Sequence, residues 1–493
     1  MPGVTERGVV AAGHPLTAQA GADVLRAGGN AVDAALAALM TSFMTEPLLT
    51  GLGAGGYMLV APPGGEPVLL DFMVEASGHG AAPDSRAPLD AVVIDFGDAV
   101  QVFHIGASSC GVFGVPAGVS EAAARFGTVP LTDLAAPAVA YARDGIEVNA
   151  TQALLWNLLG PIAFATEESR ARYMVDGRAP RAGDVVRDAD LADAIARLAG
   201  EGAAPFYTGD IAAAVSEWVC SRGGTLRRED LAAYATVPRE PVRVGYHGRE
   251  VLTNPPPSAG GLLIGYALAL LERSPGKPDG AQIVAAMEAA QAERTRDFLD
   301  HLHEPGFLET FLSSRLGSTT HVSVLDADGW ACAVTTTNGE GSGIVVPGTG
   351  IHVNNMMGEQ DLSPAGFFTH PPGRRLPSMM APTVVLDDGS PELVLGSAGS
   401  NRIRSAILQV IVNAIDHGME AQAAVDAPRL HFEDNLVYAE PGIDEATLKG
   451  RRIAWFRERN LFFGGCQAVE RHHETRAFSG GGDPRRGGAV VRV

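Results

Sequence analysis

The segment Gly317-Ser-Thr-Thr-His-Val-Ser-Val-Leu-Asp326 sets Thr319 at the head of a β-rich run, directly after a Gly-Ser pair that can take a strained turn. Self-cleavage asks for that arrangement. Attack of the Thr319 hydroxyl on the Ser318 carbonyl gives an ester, and hydrolysis of the ester leaves Thr319 with a free α-amine whose ordinary pKa is about 8. The new amine stands beside the old hydroxyl and can serve as its general base, which makes a nucleophile for acyl transfer. Two β-branched residues opening a strand also need no chemistry to explain them, so the case depends on partners. One is the turn Gly396-Ser-Ala-Gly-Ser-Asn401, where unsatisfied N–H groups at a helix start point at any anion lying there.

Other chemistries fit less well. Gly51-Leu-Gly-Ala-Gly-Gly56 matches G-x-G-x-x-G, but it follows Glu46-Pro47 and opens a strand-like run instead of a helix, so no dinucleotide site is expected. His301-x-His303 and His472-His473 lack a recognised ligand spacing, and neither a metal nor a cofactor is expected. Cys110, Cys220, Cys332 and Cys466 lie far apart without a Cys-x-x-Cys pair and suit reduced core thiols. Asp483-Pro-Arg-Arg486 suits a structural turn.

The elements that must hold these residues are legible. His14 to Met44 predicts two helices, broken at Gly28-Gly29, with Asn30 and Asp33 at capping-box spacing. Tyr57 to Phe72 predicts a hairpin about Pro62-Pro-Gly-Gly65. From Pro130 to Leu312 the texture is helical, as in Asp190 to Leu198, Ile211 to Cys220 and Ala281 to Leu302. Pro255-Pro-Pro-Ser-Ala-Gly-Gly261 interrupts it, and a helix should follow near Leu262. The last third predicts strands over Thr320 to Leu325, Trp330 to Thr336, Thr383 to Leu386 and Glu392 to Leu395. A helix then follows whose Ile403, Ile407, Val410, Ile411 and Ala414 share one apolar face.

The 493 residues are 46% hydrophobic and 19% charged, with 60 glycines, which describes a well-buried globular chain. A formal charge of −20 without a Lys/Arg-rich cluster excludes nucleic acid as the main partner. Met1 to His14 shows no basic start and apolar run of signal-peptide type, and Asp33 and Glu46 interrupt the only extended apolar stretch nearby. The expectation is a soluble cytoplasmic protein with no membrane partner.

Several ordered motifs carry a resemblance. Thr319-Thr-His-Val-Ser-Val-Leu-Asp, Val334-Thr-Thr-Thr-Asn338, Gly348-Thr-Gly-Ile-His-Val-Asn-Asn355 and Ser378-Met-Met-Ala-Pro-Thr383 resemble the small subunit of gamma-glutamyltransferases. His14-Pro-Leu-Thr-Ala-Gln-Ala-Gly21, Gly28-Gly-Asn-Ala-Val-Asp-Ala-Ala35, Gly53-Ala-Gly-Gly56, Phe206-Tyr-Thr-Gly209 and the Pro255–Gly261 stretch resemble its large subunit, in order. Phe462-Phe-Gly-Gly465 and Asp483-Pro-Arg-Arg486 resemble its closing segment.

The resemblance implies an α/β fold, the four-layer αββα N-terminal-nucleophile hydrolase fold. It implies a precursor cut into residues 1–318 and 319–493 that stay interleaved in one globular unit, with room for a homo-oligomer of processed units. Thr319 would be the nucleophile and Thr337 the second threonine whose hydroxyl bonds it; Asn338 would be a polar ligand for substrate. The family's glycine pair falls on Gly399 and Ser400, whose backbone donors would stabilise an oxyanion, and a plain helix cap at Ser400 is compatible with that role. Glu359 stands where an acidic residue meets the substrate amine, and Ser378-Met379 stands where the family has paired serines. An arginine that pairs with the glutamyl α-carboxylate falls on Met73, which has no guanidinium fork. The implied function is hydrolysis or transfer of gamma-glutamyl or related small amides through an acyl-Thr319 intermediate. An amidase for a short dicarboxylic monoamide, an acylase for a bulkier group, and an uncleaved binding protein on the same scaffold are the alternatives. Arg374 or Arg375 would be the substitutes if a carboxylate is held after all.

Overall fold

The computed structural model describes residues 6–82, 85–95, 100–293, 319–360, 362–363, 366–473 and 475–493. The Ser318–Thr319 bond therefore sits at the border of the described residues, and Gly317, Ser318, His301 and His303 lie outside them.

Among the described residues thirteen strands build the two main sheets. They are β1 (Gly8–Ala12), β2 (Gly55–Ala61), β3 (Val68–Phe72), β4 (Val237–Arg239), β5 (Val242–Tyr246), β6 (Arg249–Thr253), β7 (Thr320–Asp326), β8 (Ala331–Thr337), β9 (Thr383–Asp387), β10 (Ser390–Ala398), β11 (Gly465–Arg471), β12 (Phe478–Gly481) and β13 (Ala489–Arg492). The first sheet has the order β13-β1-β7-β8-β2-β3-β4, and the second β12-β11-β10-β9-β6-β5. Each sheet mixes strands from before and after residue 319, so neither half of the sequence owns a sheet. The sheets pack face to face through β7 and β8 against β10 and β11.

Helices cover the two outer faces. On the first sheet lie α1 (Pro15–Arg26) and α2 (Ala31–Thr45), with α3 (Leu131–Asp144) stacked on α2 and α4 (Ala189–Glu201) stacked on α3. Over the second sheet lie α5 (Gly260–Leu271) and α6 (Arg402–Ile415). This is the expected helix, sheet, sheet, helix layering. Its start signals are also where they were expected. Asn30 accepts from the Val32 and Asp33 N–H groups while Asp33 accepts from the Asn30 N–H, closing a capping box on α2. The helix expected over Ala281 to Leu302 is seen over Gly280–Ala292; its remainder lies outside the described residues beyond 293.

Two cores follow from strand alternation. Val322 and Val324 of β7 and Cys332 and Val334 of β8 point into the cluster under α1 and α2. Leu325, Ala331 and Ala333 point into the cluster between the sheets. Residues 319, 321 and 323 therefore face the second sheet, and Thr320 faces the helices.

The glycine-rich run near residue 53 has a packing cause. A Cβ on Gly53 would stand 2.2 Å from the His352 carbonyl oxygen, and one on Gly56 would stand 2.4 Å from that of Thr335. These glycines let backbone meet backbone.

Candidate active site

Thr320 pairs with Thr336 in the antiparallel β7/β8 ladder, so the same register continued by one residue sets Thr319 opposite Thr337. Thr337 is opposite Gly55 of β2, and the β2/β3 ladder continued by one residue sets Gly55 opposite Met73. Thr319, Thr337, Gly55 and Met73 thus form one row across the inner face of the first sheet, spanning about 14 Å at ordinary strand spacing. Sequence spacing could not show this row, because its members come from four strands.

Thr319 is wholly buried, and its Oγ1 has no hydrogen-bond partner among the described residues. The expected hydroxyl-to-hydroxyl bond from Thr337 is not formed. Instead the Gly339 N–H donates to Thr337 Oγ1 at 2.7 Å, which orients that hydroxyl and leaves its own proton to give. Asn338 is buried behind it, donating from Nδ2 to the His352 carbonyl at 3.4 Å. Glu359 is brought to the same turn: a Cβ on Gly339 would stand 2.4 Å from Glu359 Oε1.

Immediately behind the row lies a second, polar one: His321, Thr335, Tyr57 and Asp71 are successive register partners. His321 Nδ1 is 2.7 Å from Thr335 Oγ1, and its Nε2 is 2.8 Å from Ser323 Oγ. Ser323 donates to the Gln467 carbonyl at 3.1 Å, so it accepts from His321 and the ring carries its proton on Nε2. Burial holds His321 neutral, with its pKa down to about 3. The ring fills the space beside Gly396, where a Cβ would come within 2.3 Å of it.

Three residues past Gly396 the second sheet ends in the turn that carries Gly399 and Ser400. Gly399 has φ +122° and Ser400 φ +60°. The left-handed pair swings the chain from β10 into α6, and among the described residues no backbone carbonyl accepts from either N–H. The plain helix cap that was compatible with the donor role of Ser400 is not seen. Asn401 holds the N-cap position and makes no side-chain capping bond.

Arg486 ties this turn to the nucleophile strand. A Cβ on Gly399 would stand 3.5 Å from Arg486 Nη2. The half-buried Arg486 guanidinium also acts on the Glu46 carboxyl, whose Oε1 accepts from Thr320 Oγ1 at 2.9 Å. Burial pushes Glu46 up to about 7, against the Thr320 bond and the Arg486 charge. Desolvation, with Arg402 nearby, brings Arg486 down to about 10. Sequence reasoning missed both residues. Glu46 registered only as an interruption in an apolar run, although a lone acid at the end of an all-buried helix is a signal in itself. The turn expected at Asp483 to Arg486 is present, with Asp483 capping it and Arg429 and Arg485 pairing with Asp483.

Ser378 and Met379 are held by the Pro255–Gly261 loop. Ser258 Oγ donates to the Ser378 and Met380 carbonyls, and Gly260 lies so close that a Cβ would stand 2.0 Å from the Met379 oxygen. Ser378 Oγ accepts from the Met380 N–H at 3.0 Å. Met73 is buried in the same apolar cluster as Met356, Met357, Met379 and Met380. Arg375 reaches the backbone of Met73 and is engaged there. Its guanidinium donates to the Met73 carbonyl at 2.5 Å and to the Ala235 carbonyl, stacks over Tyr234 at 4.4 Å, and lies between Asp71 and Glu75.

A helix, sheet, sheet, helix sandwich with a threonine at the head of a central strand of one sheet, and an open backbone turn at the end of a strand of the other, is the architecture of an N-terminal-nucleophile hydrolase. The gamma-glutamyltranspeptidase family model matches residues 17–317 and 308–493. The glutathione hydrolase proenzyme of Escherichia coli strain K12 is 33% identical, over 91% of this chain and 86% of that protein. The acylase ACY 1 proenzyme of Pseudomonas sp. strain SE83 is 32% identical, over 90% and 86%. The cephalosporin acylase of Bacillus halodurans superposes over 100% of this chain and 98% of its own, at 26% identity and a TM-score of 0.80. The chain belongs to the gamma-glutamyltranspeptidase family and is a self-processing hydrolase of that kind.

Proposed function

We propose that the chain is cut before Thr319 into residues 1–318 and 319–493, and that mature Thr319 hydrolyses small amides whose acyl group is apolar and lacks a free α-carboxylate. Thr319 Oγ1 is the nucleophile, its α-amine the base, Thr337 the hydroxyl that orients it, and the Gly399 and Ser400 N–H groups the oxyanion donors. One observation carries the acyl specificity. The catalytic row ends at Met73, inside a cluster of buried methionines, where the family's carboxylate-binding arginine would stand. A carboxylate buried there without a cation carries a desolvation penalty of several kcal/mol, and Arg375 is already bound to backbone carbonyls. Methionine side chains adapt to irregular apolar groups. Proteins named as acylases are among the relatives. Glu359, beside Gly339, is the observation that favours the gamma-glutamyl reading, since it can meet a substrate amine.

Release of p-nitroaniline from hexanoyl and gamma-glutamyl p-nitroanilides tests the proposal. The hexanoyl compound should show the higher kcat/KM. Met73→Arg should raise the gamma-glutamyl value about tenfold or more, as expected for one charge-assisted bidentate contact. Strong wild-type activity on the gamma-glutamyl compound, with no gain in Met73→Arg, would defeat the specificity argument.

A further inference from the structure

The strand that carries Thr319 is held from its helix side by one acid. Glu46, at the C-terminal end of α2, is buried, and its carboxyl sits in a notch over β1 that exists because residue 13 is glycine. A Cβ there would stand 2.2 Å from Glu46 Oε1. Oε1 takes the hydroxyl proton of Thr320, the residue after the nucleophile. Oε2 is buried and has no hydrogen-bond partner among the described residues. A buried carboxylate oxygen left open costs free energy unless something completes it.

Cleavage supplies a candidate. Before the cut, Thr319 N is an amide; after it, the same atom is a basic amine at a wholly buried position. That amine must bear a positive charge for part of each catalytic cycle. As Oγ1 bonds to the substrate carbonyl carbon, the carbonyl π pair moves onto its oxygen and the hydroxyl proton moves to the amine. When the carbonyl re-forms, the C–N bond breaks and the ammonium returns the proton to the leaving nitrogen. A buried ammonium without a counter-charge would raise the barrier to the first step.

We propose that Glu46 is the positioning residue for the mature amino terminus: anchored on Thr320 through Oε1, it receives the Thr319 α-ammonium on Oε2. Glu46 itself exchanges no proton in the cycle. The inference rests on cleavage before Thr319. The charged group acting on Glu46 from the facing elements is Arg486, which is itself drawn to Asp483 and Glu340 and opposed by the like charge of Arg402. Burial already lifts the Glu46 carboxyl to about 7, as expected for an anion awaiting a partner.

The test is the pKa of the Thr319 amine in the full-length processed protein, read by acetic anhydride labelling against pH with mass spectrometry of the new amino terminus. A neighbouring carboxylate raises an amine's pKa, so Glu46→Gln should lower it by about one unit or more, with Thr320→Val showing a smaller fall. A cut Glu46→Gln protein with an unchanged amine pKa overturns the proposal and leaves the cleavage reading intact. A wild-type chain with no labelled Thr319 amine overturns both. If Glu46→Gln is not cut, Glu46→Asp decides: restored cutting with a wild-type amine pKa supports the proposal. An uncut Glu46→Asp chain, or a cut one with its pKa lowered, makes the carboxyl a folding requirement and ends it.

Discussion

Replacing Gly399 with alanine separates the oxyanion turn from every other part of the site. The new Cβ would stand 2.6 Å from the Gly464 Cα, a backbone atom that cannot swing aside, and the φ of +122° is one that a side chain strains. The strain alone is of order 1–3 kcal/mol, and the turn relieves it by rotating the N–H groups proposed as oxyanion donors. Loss of one such donor costs about 100- to 1000-fold in kcat. The contact is made chiefly in the transition state, so KM should change little. Turnover of hexanoyl p-nitroanilide, expressed per cut molecule counted on a denaturing gel, measures the effect. Ser400→Gly is the matched control. It relieves a left-handed conformation worth about 1 kcal/mol and loses about as much through the freer unfolded chain, so stability and kcat should both stay near wild type. A folded Gly399→Ala protein with kcat within threefold of wild type would refute the assignment of this turn.

Thr319→Ala is expected to leave a single uncut chain, and the small fragment of the wild type should begin Thr-Thr-His-Val on amino-terminal sequencing; a different start would displace the nucleophile. Thr337→Ala should slow maturation and turnover together, with Thr337→Ser retaining much more of each, whereas wild-type rates in the alanine variant would reduce Thr337 to a strand residue. Stability should fall as pH drops below the ordinary histidine value. His321 and His352 are held neutral by burial with pKa about 3, so between pH 6.5 and 3 the unfolded chain binds more protons than the folded one. Each should contribute about 2 kcal/mol less at pH 5 than at pH 7. Urea midpoints at the two pH values check this, and an equal midpoint at both would contradict it.

Local signals were legible where they act over a few residues. The Asn30 capping box, the Gly28-Gly29 break, the Tyr57 to Phe72 hairpin and the Thr-led strand all read directly from residue type and spacing. Gly399 and Ser400 were found through a motif, but their left-handed conformation was not, since serine is not the residue that φ +60° favours. The polar row behind the nucleophile was invisible because its partners come from four strands. Glu46 and Arg486 were invisible for a related reason: they are 440 positions apart in the numbering and meet only where the helix layer and the closing turn converge.

The alternation of strands from the two sides of residue 319 has a consequence for what becomes of the enzyme when it melts. The uncut precursor refolds as one chain at a rate independent of concentration. Once cut, β7 must find β1, and β8 must find β2, on a different molecule, so refolding becomes a second-order encounter that dilution defeats, and two open sheets are left to aggregate in the meantime. Cleavage thus converts a protein that can recover from heat into one whose lifetime is set by how seldom it unfolds.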